Sequence, residues 1–157
     1  MEVRNALPEE YPQLWQLFYE TIHTVNARDY SPQQLDAWAP AEIEMSRWEA
    51  RMASIHPFVA IEGNEIAGFC DVQPDGLIDM FFVHHQWQRR GVGRMLFAEI
   101  ERRAAAMKLK SLHSHVSLTA RPFFEAHGFS VEEPQQVTIN GQTLSNFLMR
   151  RSLNSCS

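Results

Sequence analysis

Apolar residues recur along the chain at two different periods. Between positions 14 and 25 they fall three or four residues apart, which predicts an amphipathic helix over residues 8–26 with Pro8 in its first turn. The same period predicts helices over residues 42–54, 91–107 and 119–127, and a short helix that ends at Trp38. Short apolar runs predict strands over residues 2–6, 58–62, 65–72, 77–83, 111–116, 129–133, 135–139 and 142–150. The order of these elements predicts a mixed α/β fold.

Turn and cap residues mark the ends of several of these elements. Ser31 and Gln34 have the spacing of a capping box at the start of the short helix. The dipeptides Gly-Asn at 63–64 and Asn-Gly at 140–141 predict hairpin turns. Gly128 is suited to cap the C-terminus of the last predicted helix. These signals support the boundaries that the apolar periods indicate.

Composition narrows the class of protein. The 157 residues are 45% hydrophobic and 21% charged, as in ordinary globular proteins, so a single domain over residues 1–157 is expected. The formal net charge of −5 disfavours a general nucleic-acid binder, which usually carries a basic surplus. Cys70 and Cys156 do not suggest a disulfide framework. The sequence shows neither a signal segment nor a run long enough to span a membrane, so a cytoplasmic protein is expected.

The segment QRRGVGR, residues 88–94, follows an apolar strand and opens a predicted helix. Unpaired N–H groups at a helix N-terminus favour an anion, and glycines allow its close approach. A P-loop needs Lys and then Ser or Thr after its last glycine, whereas Arg94 and Met95 follow Gly93. A dinucleotide-binding turn needs a third glycine where Leu96 stands. The pattern Gln/Arg-x-x-Gly-x-Gly/Ala fits, and a tight turn without a ligand stays open as the alternative.

A second pattern lies on the last predicted helix, where residues 120–129 read ARPFFEAHGF. Taken in this order, the two motifs resemble those of the GNAT superfamily of acetyl-CoA-dependent N-acetyltransferases, and the order of elements matches over residues 3–150. The segments YSPQQLDAW at 30–38 and IDM at 78–80 are similar to one bacterial branch of that superfamily. The resemblance implies a mostly antiparallel central sheet flanked by helices, and transfer of an acetyl group from acetyl-CoA to an amine.

The resemblance also implies where coenzyme A is bound. The turn would hold its pyrophosphate, the strand over residues 77–83 would pair with its pantetheine arm, and the last helix would lie beside the thioester. The implied contacts are Phe82, Val83 and His84 through their backbone, Gln88, Arg89, Arg90, Gly91, Val92, Gly93 and Arg94 at the turn, and Ser117, Phe123 and Phe124 beyond it. Ser117 stands where the family often has Asn, and its side chain is shorter.

The reaction that the resemblance implies needs a base, because an amine is mostly protonated near pH 7. Asp79 is the first candidate, since strand alternation places it on the same face as Phe81 and Val83. An Asp in an apolar strand is costly unless it is paired or functional, so a structural salt bridge is the alternative. His115 and His113 share one face of the next strand and are the other candidates.

The proton for the departing thiolate has no evident donor. Many family members use a Tyr of the last helix, and here that position is Phe124, which cannot donate. Tyr30, Tyr19 or water would then have to serve, or the step needs no dedicated acid. A thiol pKa of about 8.5 makes a thiolate a tolerable leaving group without one.

The acceptor site is expected between the N-terminal helices and the last hairpin. Tyr30 and Trp38 are candidate substrate contacts with Asp79 and His113, and Trp48 and Phe147 are further candidate walls. The pair His113-x-His115 lacks a third ligand at a suitable spacing, so no metal is expected.

Two other functions remain open beside catalysis with a free amine. A non-catalytic acyl-CoA-binding module is one, and Phe124 gives it weight; a toxin that acetylates charged tRNA is the other, and the acidic composition disfavours it. The edge of the last hairpin or the apolar helices would support a homodimer.

Overall fold

The computed structural model describes residues 1–153, which form two antiparallel sheets and five α-helices. The first sheet has the order β1-β2-β3-β4, and its strands are β1 (Glu2–Asn5), β2 (Phe58–Glu62), β3 (Glu65–Cys70) and β4 (Phe81–Val83). The second has the order β5-β7-β6, and its strands are β5 (Ser111–Ser117), β6 (Ser130–Ile139) and β7 (Gln142–Ser152). The helices are α1 (Tyr11–Thr24), α2 (Pro32–Trp38), α3 (Met45–Ile55), α4 (Val92–Ala106) and α5 (Arg121–Ala126). Among these described residues, no helix is long and apolar enough to cross a membrane.

The two sheets meet at one point. Leu77 forms a parallel bridge with His113, where the His113 carbonyl accepts the Ile78 N–H at 2.9 Å. The Ser114 hydroxyl adds a hydrogen bond to the Ile78 carbonyl at 2.7 Å. Beyond this point β4 pairs only with β3, and β5 pairs only with β7, within residues 1–153. The neighbouring strands β4 and β5 therefore diverge and leave a gap between the sheets.

The strand predicted over residues 77–83 is regular only from Phe81 onward. The carboxylate of Asp71 accepts the N–H of Met80 at 2.6 Å and that of Asp79 at 3.3 Å, so a side chain takes the place of a strand partner there. Asp71 is fully buried, and this burial raises its pKa to about 6 against the opposing hydrogen bonds from Gln73 and Met80. Asp79 therefore lies in an irregular segment, where strand alternation does not set the direction of its side chain.

Two other predicted elements need correction. The helix expected over residues 8–26 is divided into a 3-10 turn at Pro8–Glu10, helix α1, and a second turn at Asn26–Arg28. Glu10 holds the entry to α1, because its carboxylate accepts the Leu7 N–H at 2.8 Å and pairs with Arg4 at 2.7 Å. The strands expected over residues 129–133 and 135–139 are one strand, β6, whose register shifts near Val131.

The remaining sequence signals hold. The Ser31 hydroxyl accepts the Gln34 N–H at 3.2 Å and the Gln34 side chain accepts the Ser31 N–H at 2.8 Å, so the capping box is confirmed. Gly128 ends α5 with a φ of +89°. Cys70 is a buried free thiol, whereas Cys156 lies outside the described residues.

The core has two parts on opposite faces of the first sheet. On one face, α1, α2 and α3 pack their apolar residues against strand residues such as Val59 and Phe69. On the other, α4 packs Leu96, Phe97 and Ile100 between the first sheet, α5 and the second sheet. Burial of these side chains fixes both helix layers against the sheet and keeps the gap between β4 and β5 open at their free ends.

Candidate active site

A cavity of about 850 Å³ occupies the gap between β4 and β5. One end, named here the turn end, is lined by residues 88–94 and by α5. The other, named the hairpin end, is lined by the C-terminal part of α1, by α2 and by the β6–β7 hairpin. The predicted site residues that line the cavity are Tyr30, Trp38, Asp79, Phe82, Val83, Gln88, Arg89, Gly91, Gly93, Arg94, His115, Ser117, Phe123 and Phe124. Four others, His84, Arg90, Val92 and His113, do not line it.

The turn end presents unpaired backbone donors. Gly91 has a φ of +83° and precedes α4, whose first helical hydrogen bond runs from the Met95 N–H to the Gly91 carbonyl at 3.0 Å. The N–H groups of Val92, Gly93 and Arg94 come before that bond and have no partner within the helix. Together with the positive end of the helix dipole, they form a site suited to phosphate.

The two glycines of the turn have different roles. At Gly91 the backbone needs positive φ, and no atom lies within 4 Å of an added Cβ. At Gly93 a Cβ would lie 2.9 Å from Cε1 of the Phe123 ring, so this glycine lets α5 pack closely on α4. The sequence suggested anion approach or a tight turn for both glycines, and for Gly93 the packing of Phe123 is a separate reason.

The side chains of the turn point in several directions. Arg89 and Arg94 line the cavity and bring positive charge to the turn end. Arg90 stacks over the ring of Trp87 at 5.1 Å, outside the cavity, and Val92 is buried in the core. The turn thus offers two arginines to an anion, not the three that the sequence suggested.

Strand β4 turns only some of its backbone groups toward the gap. The His84 N–H donates to the Ala67 carbonyl at 2.8 Å, on the β3 side of the strand. Since the backbone groups of a strand alternate, those of Phe82 also face β3, whereas those of Phe81 and Val83 face the gap. The backbone groups of Phe82 and His84, predicted to contact the cofactor, are therefore paired with β3, and those of Phe81 and Val83 are the ones that face the gap.

The proposed bases occupy different surroundings. Asp79 is among the residues that line the cavity, and its 27% exposed carboxylate pairs with Arg51 at 3.1 Å, so the salt bridge considered from the sequence is present. The His115 ring also lines the cavity, and its Nδ1 lies 2.9 Å from the side-chain oxygen of Gln135. His113 lies beside Gly76 and does not line the cavity, so its predicted substrate contact has no support from this geometry.

The tyrosines do not replace the missing phenol. Burial raises the pKa of Tyr30, whose hydroxyl donates to the Ser145 carbonyl at 2.7 Å and accepts the Leu118 N–H at 2.9 Å. Tyr30 therefore links the segment that precedes α2 to strand β7. Its hydroxyl proton is already donated to the Ser145 carbonyl. Tyr19 stacks on His23 with ring centroids 4.2 Å apart, outside the cavity.

The aromatic walls differ from the sequence expectation in two places. Trp38 lines the hairpin end. Trp48 is a core residue whose indole N–H donates to the Tyr11 carbonyl at 2.8 Å, and Phe147 carries the guanidinium of Arg121 over its ring at 4.6 Å. Neither Trp48 nor Phe147 lines the cavity.

Three uncharged polar residues meet in the cavity wall, and sequence analysis named only one of them. Asn26 donates to the Ser117 hydroxyl at 3.3 Å, and Asn146 lies directly opposite Ser117 in the β5–β7 register. The Oδ1 atom of Asn146 is buried and has no hydrogen-bond partner within residues 1–153. Asn is disfavoured in strands, so its position in the apolar run around Phe147 was the available signal.

A separate cluster outside the cavity brings Glu20, His84 and His85 together, with one ligand-type atom of each within 4.8 Å. The Nδ1 atom of His84 accepts the Gln86 N–H at 3.1 Å, which leaves the ring proton on Nε2. That nitrogen faces the Glu20 carboxylate at 3.1 Å, as a donor. This tautomer suits a hydrogen-bonded pair and does not suit metal coordination through Nε2.

Comparisons with known proteins agree with this architecture. The sequence profile of the acetyltransferase (GNAT) domain matches residues 26–149. The Escherichia coli (strain K12) protein described as "Uncharacterized N-acetyltransferase YafP" is 33% identical over 150 residues, which are 96% of this chain and 95% of that protein. A crystal structure from Rhodopseudomonas palustris has a TM-score of 0.92 at 32% identity, over 97% of this chain and 95% of its own. It is described as a GCN5-related N-acetyltransferase, "Aminotransferase, Class-II". The PaiA N-acetyltransferase of Thermoplasma acidophilum, crystallised with coenzyme A, has a TM-score of 0.76 at 17% identity, over 97% of this chain and 98% of its own.

The split sheet and the helix N-terminus at the mouth of the gap define an acyltransferase of mixed α/β fold. This chain belongs to the GNAT family of acetyltransferases. The fold class and the family inferred from the two motifs are thereby confirmed.

Proposed function

We propose that this protein transfers the acetyl group of acetyl-CoA to a primary amine by direct attack within a ternary complex. One observation carries the proposal: a single cavity runs from the anion site at the N-terminus of α4 to the separate hairpin end. Two substrates that enter from opposite ends would meet between β4 and β5. No covalent acyl-enzyme is needed for such a reaction, because the amine itself is the nucleophile.

Acetyl-CoA takes the turn end in this proposal. Its pyrophosphate accepts hydrogen bonds from the N–H groups of residues 92–94, and Arg89 and Arg94 neutralise its charge. The pantetheine arm pairs with the backbone of Phe81 and with the N–H of Val83, which face the gap, while the Val83 carbonyl already accepts the Gln88 side-chain amide at 2.8 Å. Coenzyme A bound to the Thermoplasma acidophilum neighbour supports the choice of this cofactor.

The amine arrives mostly protonated and must lose a proton before it attacks. Asp79 is the proposed acceptor of that proton, directly or through a water molecule, because its carboxylate lies in the wall of the cavity. The nitrogen then attacks the thioester carbonyl carbon. The tetrahedral intermediate gives the second nitrogen proton to water and expels the coenzyme A thiolate, which leaves the neutral amide. With Phe124 in place of a phenol and the Tyr30 proton donated to Ser145, the thiolate leaves without a dedicated side-chain acid.

The test is calorimetric titration with acetyl-CoA, followed by a free-thiol assay with a panel of primary amines. We expect binding and amine-dependent thiol release. Binding without thiol release for any amine would favour the non-catalytic acyl-CoA module, which Phe124 keeps as the second candidate. Acetylation of charged tRNA but of no free amine would favour the toxin.

A further inference from the structure

The hairpin end of the cavity has mostly apolar walls. Phe18, Trp38 and Phe82 form one side, with the Phe18 and Phe82 ring centroids 4.9 Å apart and those of Trp38 and Phe82 6.4 Å apart. The opposite side comes from the β6–β7 hairpin and consists of Val137, Ile139 and Leu144. Aromatic and aliphatic walls of this kind favour a ligand with an apolar body, since such a body leaves water on entry.

Three polar residues of this cavity wall, Asn26, Ser117 and Asn146, are uncharged and form few hydrogen bonds. The Ser117 oxygen accepts the Asn26 amide at 3.3 Å and the Ala120 N–H at 3.0 Å, and within residues 1–153 no acceptor takes its own hydroxyl proton. Across the β5–β7 pair, Asn146 Oδ1 is buried without a partner. Asn146 itself lines the cavity, and because a buried oxygen left unpaired is costly, a ligand N–H placed beside it would satisfy this atom.

The charges that line the cavity exclude one large class of amines. Asp79 is its single carboxylate among the described residues, and Arg51 already pairs with it at 3.1 Å. Arg28 and Arg51 add positive charge to the lining. A ligand with several ammonium groups would find one shared carboxylate and repulsion from the arginines, whereas a single amine needs only one acceptor.

We infer that the acceptor is a monoamine with an apolar body, whose amino group is held by Asn146 Oδ1 beside Ser117 and Asn26. This inference rests on the proposed acetyl transfer and names its substrate class. Asn146 is a binding residue here, because an amide cannot take the ammonium proton. It accepts an N–H hydrogen bond from the amine and so directs the nitrogen lone pair, while Asp79 receives the proton.

The first test compares amines of similar size at one pH in the free-thiol assay. We expect kcat/KM for 2-phenylethylamine to exceed that for spermidine by about tenfold or more, because apolar contacts discriminate ligands by factors of that order. Preference for spermidine, or for an aminoglycoside, would overturn the substrate class and leave the acetyl transfer intact.

The second test uses Asn146→Ala with Gln136→Ala as its matched control. Gln136 lies on the same hairpin but outside the cavity, and its side chain bonds the Ser145 hydroxyl at 2.7 Å. We expect Asn146→Ala to raise KM for 2-phenylethylamine about tenfold. KM for acetyl-CoA should not change, and Gln136→Ala should change neither constant. Equal amine KM values in Asn146→Ala and the unaltered protein would reject the assignment.

A binding measurement separates this inference from the proposed function. Calorimetry of 2-phenylethylamine with the coenzyme A-loaded protein should show binding that Asn146→Ala weakens. If that binding occurs but no amine is acetylated, the amine site stands and the proposed catalysis fails. If 2-phenylethylamine neither binds nor reacts while spermidine does, the inference fails and the catalysis stands. If no amine of either class binds, the inference is rejected as well.

Discussion

The turn end and the hairpin end of the cavity differ in how many segments of the chain build them. Residues 88–94 form most of the turn end within one turn of backbone. The hairpin end joins α1, α2 and the β6–β7 hairpin, which are held by bonds such as Tyr30 to Ser145 at 2.7 Å and Asn140 to Ala37 at 2.8 Å. Local backbone geometry therefore shapes the turn end, whereas contacts between residues more than a hundred positions apart shape the hairpin end.

The largest expected effect is at the turn end. Gly91→Asp places a carboxylate beside the N–H groups that would hold pyrophosphate, so acetyl-CoA affinity should fall about 1000-fold, roughly 4 kcal/mol, in a calorimetric titration. Gly63→Asp is the matched control, since Gly63 also has positive φ and open space but lies in the β2–β3 turn. Equal loss of affinity in both variants would mean that backbone strain, not the anion site, is responsible.

The second effect concerns Asp71, which fixes the backbone where the two ends meet. Its pKa rises from 3.8 to about 6 on folding, chiefly through burial, so the folded state binds the proton more tightly than the unfolded state. The raised pKa therefore contributes about 3 kcal/mol to the free energy of unfolding below pH 3.8. This contribution is lost as pH rises through about 6.

Denaturant unfolding of the unaltered protein and of Asp71→Asn at pH 4 and pH 7 measures how the stability contribution of Asp71 changes with pH. The difference in free energy of unfolding between the two proteins should move by that amount against the unaltered protein as pH rises. Using the difference cancels the other titrating groups. A difference that does not vary with pH would show that the carboxylate is ionised in the fold throughout.

A third prediction separates a role of the Asp79 carboxylate as base from a structural role of its salt bridge with Arg51. Asp79→Asn should lower kcat about 100-fold without weakening acetyl-CoA binding, because the amine loses its proton acceptor. Arg51→Gln removes the same salt bridge and keeps the carboxylate, so it should retain most of kcat. Both side chains are partly exposed, and stability should change by less than about 1 kcal/mol in either variant. If the two variants lose activity equally, the pair is structural and Asp79 is not the base.

The contrast between the turn end, built from local backbone, and the hairpin end, built from distant segments, explains what the sequence could and could not predict. Residues 88–94 and the helix around Phe124 are contiguous motifs whose geometry follows from local backbone rules, so the cofactor end was predictable. The roles of Asn26 and Asn146 depend on strand register and on packing between distant segments. The end of regular structure before Phe81 depends on a side-chain carboxylate that takes backbone N–H groups, which apolar periodicity does not report.

A fourth prediction addresses the hairpin end. Tyr30→Phe leaves the Leu118 N–H and the Ser145 carbonyl without their partner, so unfolding free energy should fall by about 2 kcal/mol. KM for the amine should rise as β7 loses this support, whereas KM for acetyl-CoA and the pH profile of kcat should stay unchanged. Tyr19→Phe, outside the cavity, is the control and should be neutral. A pH profile altered by Tyr30→Phe would restore the phenol as a proton donor.

The smallest expected effect comes from restoring the phenol that many family members carry. Phe124 is 2% exposed and packs against Phe129 with ring centroids 5.1 Å apart, yet it also lines the cavity. If the thiolate leaves without an acid, Phe124→Tyr should change kcat by less than about threefold, under 1 kcal/mol. Phe129→Tyr adds a hydroxyl to the same ring cluster away from the cavity and controls for packing strain. A tenfold rise in kcat for Phe124→Tyr alone, with a new pH-dependent limb, would show that protonation of the thiolate limits the rate.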